Sequence, residues 1–286
     1  MTGQEEPLLF RCENARLVGI LHRPAESRTR GVLLVVGGPQ YRVGSHRQFV
    51  LLARELARRG FPVLRFDYRS MGDSEGVDTT FESAGADVRA ALRELVAATS
   101  VRDVVIWGLC DAASAALLHG VGDERVKGLV LANPWVRQEQ TQARTFLKHY
   151  YAAKLLDPTF WRGLVTGRVN VFKSAADFAR NARQSVTGAA STPASTAVPP
   201  GTQSSFVARM LEGLEAFGGK VLLLLSGDDL TAAEFKDAVQ ASRRWTRALA
   251  RRDIERRDFP EANHTFSSAA WREQVAVCTA QWLESL

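Results

Sequence analysis

The chain lacks what several classes of protein are built from. Its 286 residues include three cysteines, Cys12, Cys110 and Cys278. Their number is odd and their spacing wide, so the sequence spells neither a disulfide framework nor a paired-thiol zinc site, and no metal is expected. No apolar run approaches the ~20 residues needed to cross a bilayer. The opening MTGQEEPLLF has no basic stretch leading into an apolar one, so no export signal is read there. Neither GxGxxG nor GxxxxGK[ST] occurs, which leaves no nucleotide or flavin signature and no expected cofactor. A reducing cytoplasm is the expected location.

The chain does contain ample apolar material: 45% of residues are hydrophobic and 24% charged. That fits one large domain, or one domain with an insertion. A domain of this size buries roughly 75% of its unfolded surface and needs no covalent staples. The net charge of +6 is carried by arginines, in pairs such as Arg58-Arg59, Arg243-Arg244, Arg251-Arg252 and Arg256-Arg257. No aromatic stacking platform interleaves with them, so they read as solvated helix faces and nucleic acid is not an expected partner.

Strand and helix patterns alternate. Residues 8–23 read as two strands around Glu13-Asn14, and GVLLVVGG (31–38) as a strand buried on both faces. A helix follows at 47–59, stopping at Gly60, then a strand at 61–69 and an amphipathic helix at 82–98. VRDVVIWGLC (101–110) is a buried strand, 111–121 a helix rich in small residues, and 126–134 another strand. The pattern breaks over 135–219, which has aromatic helical pieces and the small, polar, proline-bearing stretch 188–205, read as a flexible loop. It resumes with a strand at 220–229, a helix at 232–250, a strand at 253–259 and a last helix at 267–285. The expectation is an α/β protein with a mostly parallel sheet and helices on both faces. Its core comprises 1–134 and 220–286, and 135–219 forms an inserted cap over the active site.

The sharpest signal is VVIWGLCDAAS. A buried strand runs into Gly108-Leu109-Cys110-Asp111-Ala112 and a helix begins at once. This is the setting of a nucleophile elbow, where the nucleophile stands on a tight turn flanked by small residues. A thiol at a helix N-terminus also feels the positive end of the dipole, which favours the reactive thiolate. Gly72-Asp73-Ser74-Glu75-Gly76 matches G-x-S-x-G as well. It neither follows a strand directly nor opens a helix, so Ser74 is rejected as nucleophile and placed in a polar loop beside the site.

In such an arrangement the acid and then the base follow the nucleophile along the chain. Among five histidines only His264 lies beyond the strand at 220–229, in the turn-rich EANHTFSS. The acid belongs just after LLLLSG; Asp229 is preferred over Asp228, and Asp258 is a remote third. Its task is to fix the imidazole tautomer and stabilise the imidazolium. The oxyanion hole needs two backbone N–H donors. One is expected from Asp111, the other from Gly38, with Gln40 as the alternative because Pro39 has no N–H. Tyr41, Arg42, His46 and Arg47 follow closely. They either bind an anionic part of the substrate or cap the next helix, and both readings stay open. Trp135, at the start of the insertion, joins Tyr41, Arg42 and His46 as a candidate substrate-binding residue.

Taken together, VVGGP, FDYRSMGDSEG, GLCDAAS, LLLLSGDD and EANHTF resemble the α/β-hydrolase superfamily over nearly the whole chain. More narrowly, GGPQYRVGSHRQF, DYRSMGDSEG, WGLCDAASA, NPWVR, SGDDLTAAEF and NHTFSS resemble the hydrolase 1 family associated with the exosortase A system. The resemblance implies the α/β-hydrolase fold and a cytoplasmic bacterial enzyme of hydrolase type. Dienelactone hydrolases and polyhydroxyalkanoate synthases are similar in using Cys, His and Asp on this fold. The expected reaction is therefore hydrolysis of an ester, lactone or thioester of a small molecule through an acyl-cysteine. Acyl transfer to an amine or alcohol is the alternative, with an acyl-carrier or CoA thioester as donor. A non-catalytic binding module is a further alternative and predicts a broken triad.

Overall fold

In the computed structural model, residues 4–38, 40–77, 79–136 and 205–286 are described. Nine residues at each of β1 (Gln4–Cys12) and β2 (Ala15–Arg23) form a hairpin that turns at Glu13, whose φ is +54°. β3 (Arg30–Val35) and β4 (Val63–Phe66) flank α1 (Gln48–Arg58). α2 (Gly85–Thr99) leads to β5 (Asp103–Leu109), α3 (Asp111–His119) and β6 (Val126–Ala132). After the undescribed stretch come α4 (Phe206–Ala216), β7 (Lys220–Asp228), α5 (Leu230–Ala241), α6 (Arg243–Leu249), β8 (Ile254–Asn263) and α7 (Ala269–Glu284).

The eight strands form one sheet in the order β1-β2-β4-β3-β5-β6-β7-β8. The β1–β2 and β2–β4 pairs are antiparallel and the remaining pairs parallel. Period-two alternation sorts each central strand onto two faces. Leu33, Val35, Val104 and Ile106 join one core with α2, α3, α4, α5 and α6. Val32, Leu34, Val105 and Trp107 join the other with α1 and α7. Both faces are therefore covered, as the continuous apolar runs required. β5 lies centrally between β3 and β6 and delivers its C-terminal end to α3.

Two sequence expectations change. The helix read as continuous over 232–250 is two helices, because Ser242 adopts extended geometry and its Oγ accepts from the Trp245 N–H, capping α6. Residues 205–219, assigned to the insertion, contain α4, whose Met210, Leu211 and Leu214 pack into the main core; α4 is part of the core layer. The rest of the expected cap from residue 137 to 204, including 188–205 up to residue 204, lies outside the described residues. Among the described residues no helix is long and apolar enough to cross a membrane.

Candidate active site

β5 ends at Leu109 and α3 starts at Asp111, which leaves Cys110 alone at the bend. Its φ of +62° and ψ of −126° are costly for a residue with a side chain. Its backbone is held from several directions. The Cys110 N–H donates to the Ala132 carbonyl (2.9 Å), while the Cys110 carbonyl accepts from Ala113 and from Trp135 (3.2 Å). Gly108 permits the bend, since a Cβ there would stand 2.5 Å from the Ala112 carbonyl. The Cys110 side chain is half-buried, whereas Cys12 is buried among the core residues.

His264 follows the end of β8, and its Nδ1 hydrogen-bonds Asp229 Oδ2 at 2.9 Å. Asp229 caps α5: its carboxylate also accepts from Thr231 N–H (3.0 Å) and Ala232 N–H (3.2 Å). Asp228 is exposed and has no such bond to the ring. Asp258, the third candidate, pairs with Arg256 instead. Nδ1 is engaged by Asp229, and Cys110 is the other side chain that favours the charged ring. Burial opposes the charged ring, but Asp229 and Cys110 outweigh it and push the His264 pKa up to about 10.

A buried polar network that the sequence reading missed supports this loop. Asn133, fully buried with φ +44°, donates from Nδ2 to Ser226 Oγ (2.9 Å) and to the His264 carbonyl (3.0 Å). Its Oδ1 accepts from the Ser226 N–H (2.8 Å), and Ser226 Oγ donates to the Asn263 carbonyl (2.9 Å). β6, β7 and the end of β8 are thus tied together directly beneath His264. An asparagine right after a strand was the one available signal.

The loop amides expected to form the oxyanion hole already have partners in this structure. The Gln40 N–H is spent on the Gly38 carbonyl (2.8 Å), which removes the alternative donor. The Gly38 N–H is engaged too: it donates to Asp111 Oδ2 at 2.6 Å.

The substrate-binding expectations fare unevenly. Arg42 is buried and ion-paired with both Asp67 and Asp73, the latter at 2.8 Å. Its charge is thus balanced within the protein by these two carboxylates. Tyr41 is exposed and donates to Asp73 Oδ2 (2.7 Å), with the Arg42 guanidinium over its ring. His46 and Arg47 adopt positive φ just before α1, and the Arg47 side chain makes no capping hydrogen bond. His46 is exposed. Trp135 sits beside the elbow: its N–H donates to Cys110 and its carbonyl accepts from Ser114 Oγ (2.7 Å). Ser74 spends its hydroxyl on the Val18 N–H and the Asp67 carbonyl, both at 2.9 Å.

The sequence profile of the alpha/beta hydrolase family matches residues 32–277. The chain belongs to that family. No curated protein sequence matches the chain. Among solved structures it is similar to the esterase Pf2001 of Pyrococcus furiosus, with a TM-score of 0.65, 16% identity, 99% of this chain covered and 93% of the other. It is also similar to Est1E of Butyrivibrio proteoclasticus, whose structure holds ferulic acid (TM-score 0.62, 14% identity, 97% and 98% covered). A dienelactone hydrolase from Anabaena variabilis gives a TM-score of 0.59 at 15% identity, covering 100% of this chain and 99% of its own. At these identities the likeness is one of fold.

Proposed function

We propose that this alpha/beta hydrolase cleaves an ester, lactone or thioester of a small molecule through an acyl-Cys110 intermediate. The observation that carries the proposal is the strained Cys110 at the β5–α3 turn, partnered by an imidazole whose other nitrogen is held by Asp229. The Cys110 thiolate attacks the carbonyl carbon, and the carbonyl π electrons move onto oxygen. When the carbonyl re-forms, the bond to the leaving oxygen or sulfur breaks, and the His264 imidazolium gives that atom its proton. Acylation removes the thiolate charge that helped hold the ring protonated. His264 is then a free base and takes a proton from water as its oxygen attacks the thioester. Collapse breaks the C–S bond and releases the acid, which leaves the Cys110 thiolate beside the imidazolium that already carries the proton taken from water.

The test is intact mass spectrometry over a time course with p-nitrophenyl acetate. Wild type is expected to gain one acetyl group, Cys110→Ala none, and His264→Ala a far slower gain. Burial pushes the thiols of Cys12 and Cys278 up, so they should stay unmodified at neutral pH. Acetylation that persists in Cys110→Ala would sink the proposal.

A further inference from the structure

The Gly38 N–H, where an oxyanion donor is required, already has an anionic oxygen on it. Asp111 Oδ2 accepts from it at 2.6 Å. The N–H groups of Ala112 and of Asp111 itself also bond this carboxylate, which burial holds above the usual carboxylate range against those three donors. Asp111 Oδ1 lies so close to Gly37 that a Cβ there would approach it to 1.8 Å. Position 37 is thus glycine where the carboxylate lies. An acidic residue in the first turn of a helix is ordinary, because it complements the dipole. That role is met within α3 and does not require reaching the Gly38 amide, 73 residues earlier.

Resting on the cysteine reading above, we propose that the Asp111 side chain is a built-in plug of the oxyanion hole. Its carboxylate holds the donors at Gly38 and at the start of α3, and it must swing away before an acyl substrate reacts. Two anionic oxygens cannot share one set of amide donors, because like charges held on the same N–H groups repel. Asp111 is therefore a specificity-determining residue. The enzyme stays slow toward any ester that merely collides with Cys110, and turns over only acyl donors whose binding displaces the carboxylate.

Asp111→Ala empties the cradle and keeps the backbone N–H. Asp111→Asn removes the charge and keeps an oxygen for Gly38. The release of p-nitrophenol on acetylation of Cys110 is expected to be at least about ten-fold faster in Asp111→Ala than in wild type, because one oxyanion donor is worth roughly 10²–10³ in rate. Asp111→Asn should fall between them. Alkylation of Cys110 by iodoacetamide builds no oxyanion and should change far less than acetylation. Added acetate, whose carboxylate fits the vacated place, should slow Asp111→Ala and leave wild type unaffected. If Asp111→Ala does not fold, Asp111→Ser serves in its place. Acetylation equal to or slower than wild type, with iodoacetamide still selecting Cys110, overturns the plug and leaves the cysteine reading standing. Equal acceleration in the alanine and asparagine variants without acetate inhibition also overturns it, since charge alone would then explain the rate. Failure of iodoacetamide to select Cys110 in any variant overturns both.

Discussion

Asp229 serves two elements at once, and this makes its side chain unusually consequential. It caps α5 and anchors the His264 ring with the same two oxygens. Because the His264 pKa is about 10 against an ordinary 6.5, the imidazolium stabilises the folded state in full below 6.5. That contribution is lost as pH rises from 6.5 through about 10. The expected NMR titration of the His264 ring therefore has its midpoint near 10 in wild type. Asp229→Asn, which keeps capping capacity but not the charge, should lower it toward 6.5; a midpoint unmoved by the change would contradict the assignment of the partner. At this scale the sequence was legible where chemistry is local or ordered along the chain. Gly108 and Cys110 sit on one turn, and His264 is the one histidine beyond β7. The Gly38–Asp111 and Asn133–Ser226 contacts join residues 73 and 93 positions apart, and no local pattern announces them.

The hairpin of β1 and β2 carries a titrating group of the opposite kind. His22 on β2 is buried and accepts from Arg65 Nε at 2.9 Å, across the pairing with β4. Burial first, then the Arg65 charge, lowers its pKa to about 4, against some opposition from Glu5. A depressed folded pKa means the native state resists a proton that the unfolded chain takes at 6.5. Stability from this residue is thus complete above 6.5 and is lost as pH falls toward 4, worth roughly 3 kcal/mol across that interval. Urea unfolding at pH 7 and pH 4.5 should show this slope in wild type and a shallower one in His22→Gln, which retains an acceptor for Arg65. The elements themselves were largely readable, because buried strands are continuous apolar runs and the helices are periodic. Two boundaries were not. Nothing in a helical period marks the break at Ser242, where the backbone turns extended and the side chain caps the next helix. Nor does a helix beside a low-complexity stretch declare which body it will pack on, so α4 was misassigned.

Across the whole molecule the two cores meet at the same strands. β3, β5, β6 and β7 are buried along nearly their full length, while β1 is exposed at most positions and lies at an edge. Local opening is cheapest where few apolar contacts are lost. Amide hydrogen exchange should accordingly be slowest in those four strands and fastest, among strands, in the first half of β1. Comparable protection in β1 and β5 would be inconsistent with the sheet order. The parallel sheet was legible as a class from the β-α-β alternation; its strand order was not, because pairing between distant strands is written in tertiary fit.

The positive φ at Cys110 sets fold and chemistry against each other. A glycine there would adopt the bend without steric penalty, so the polypeptide would be easier to fold with that sulfur deleted. Selection for thermal robustness alone would therefore erode the one atom on which the proposed reaction turns.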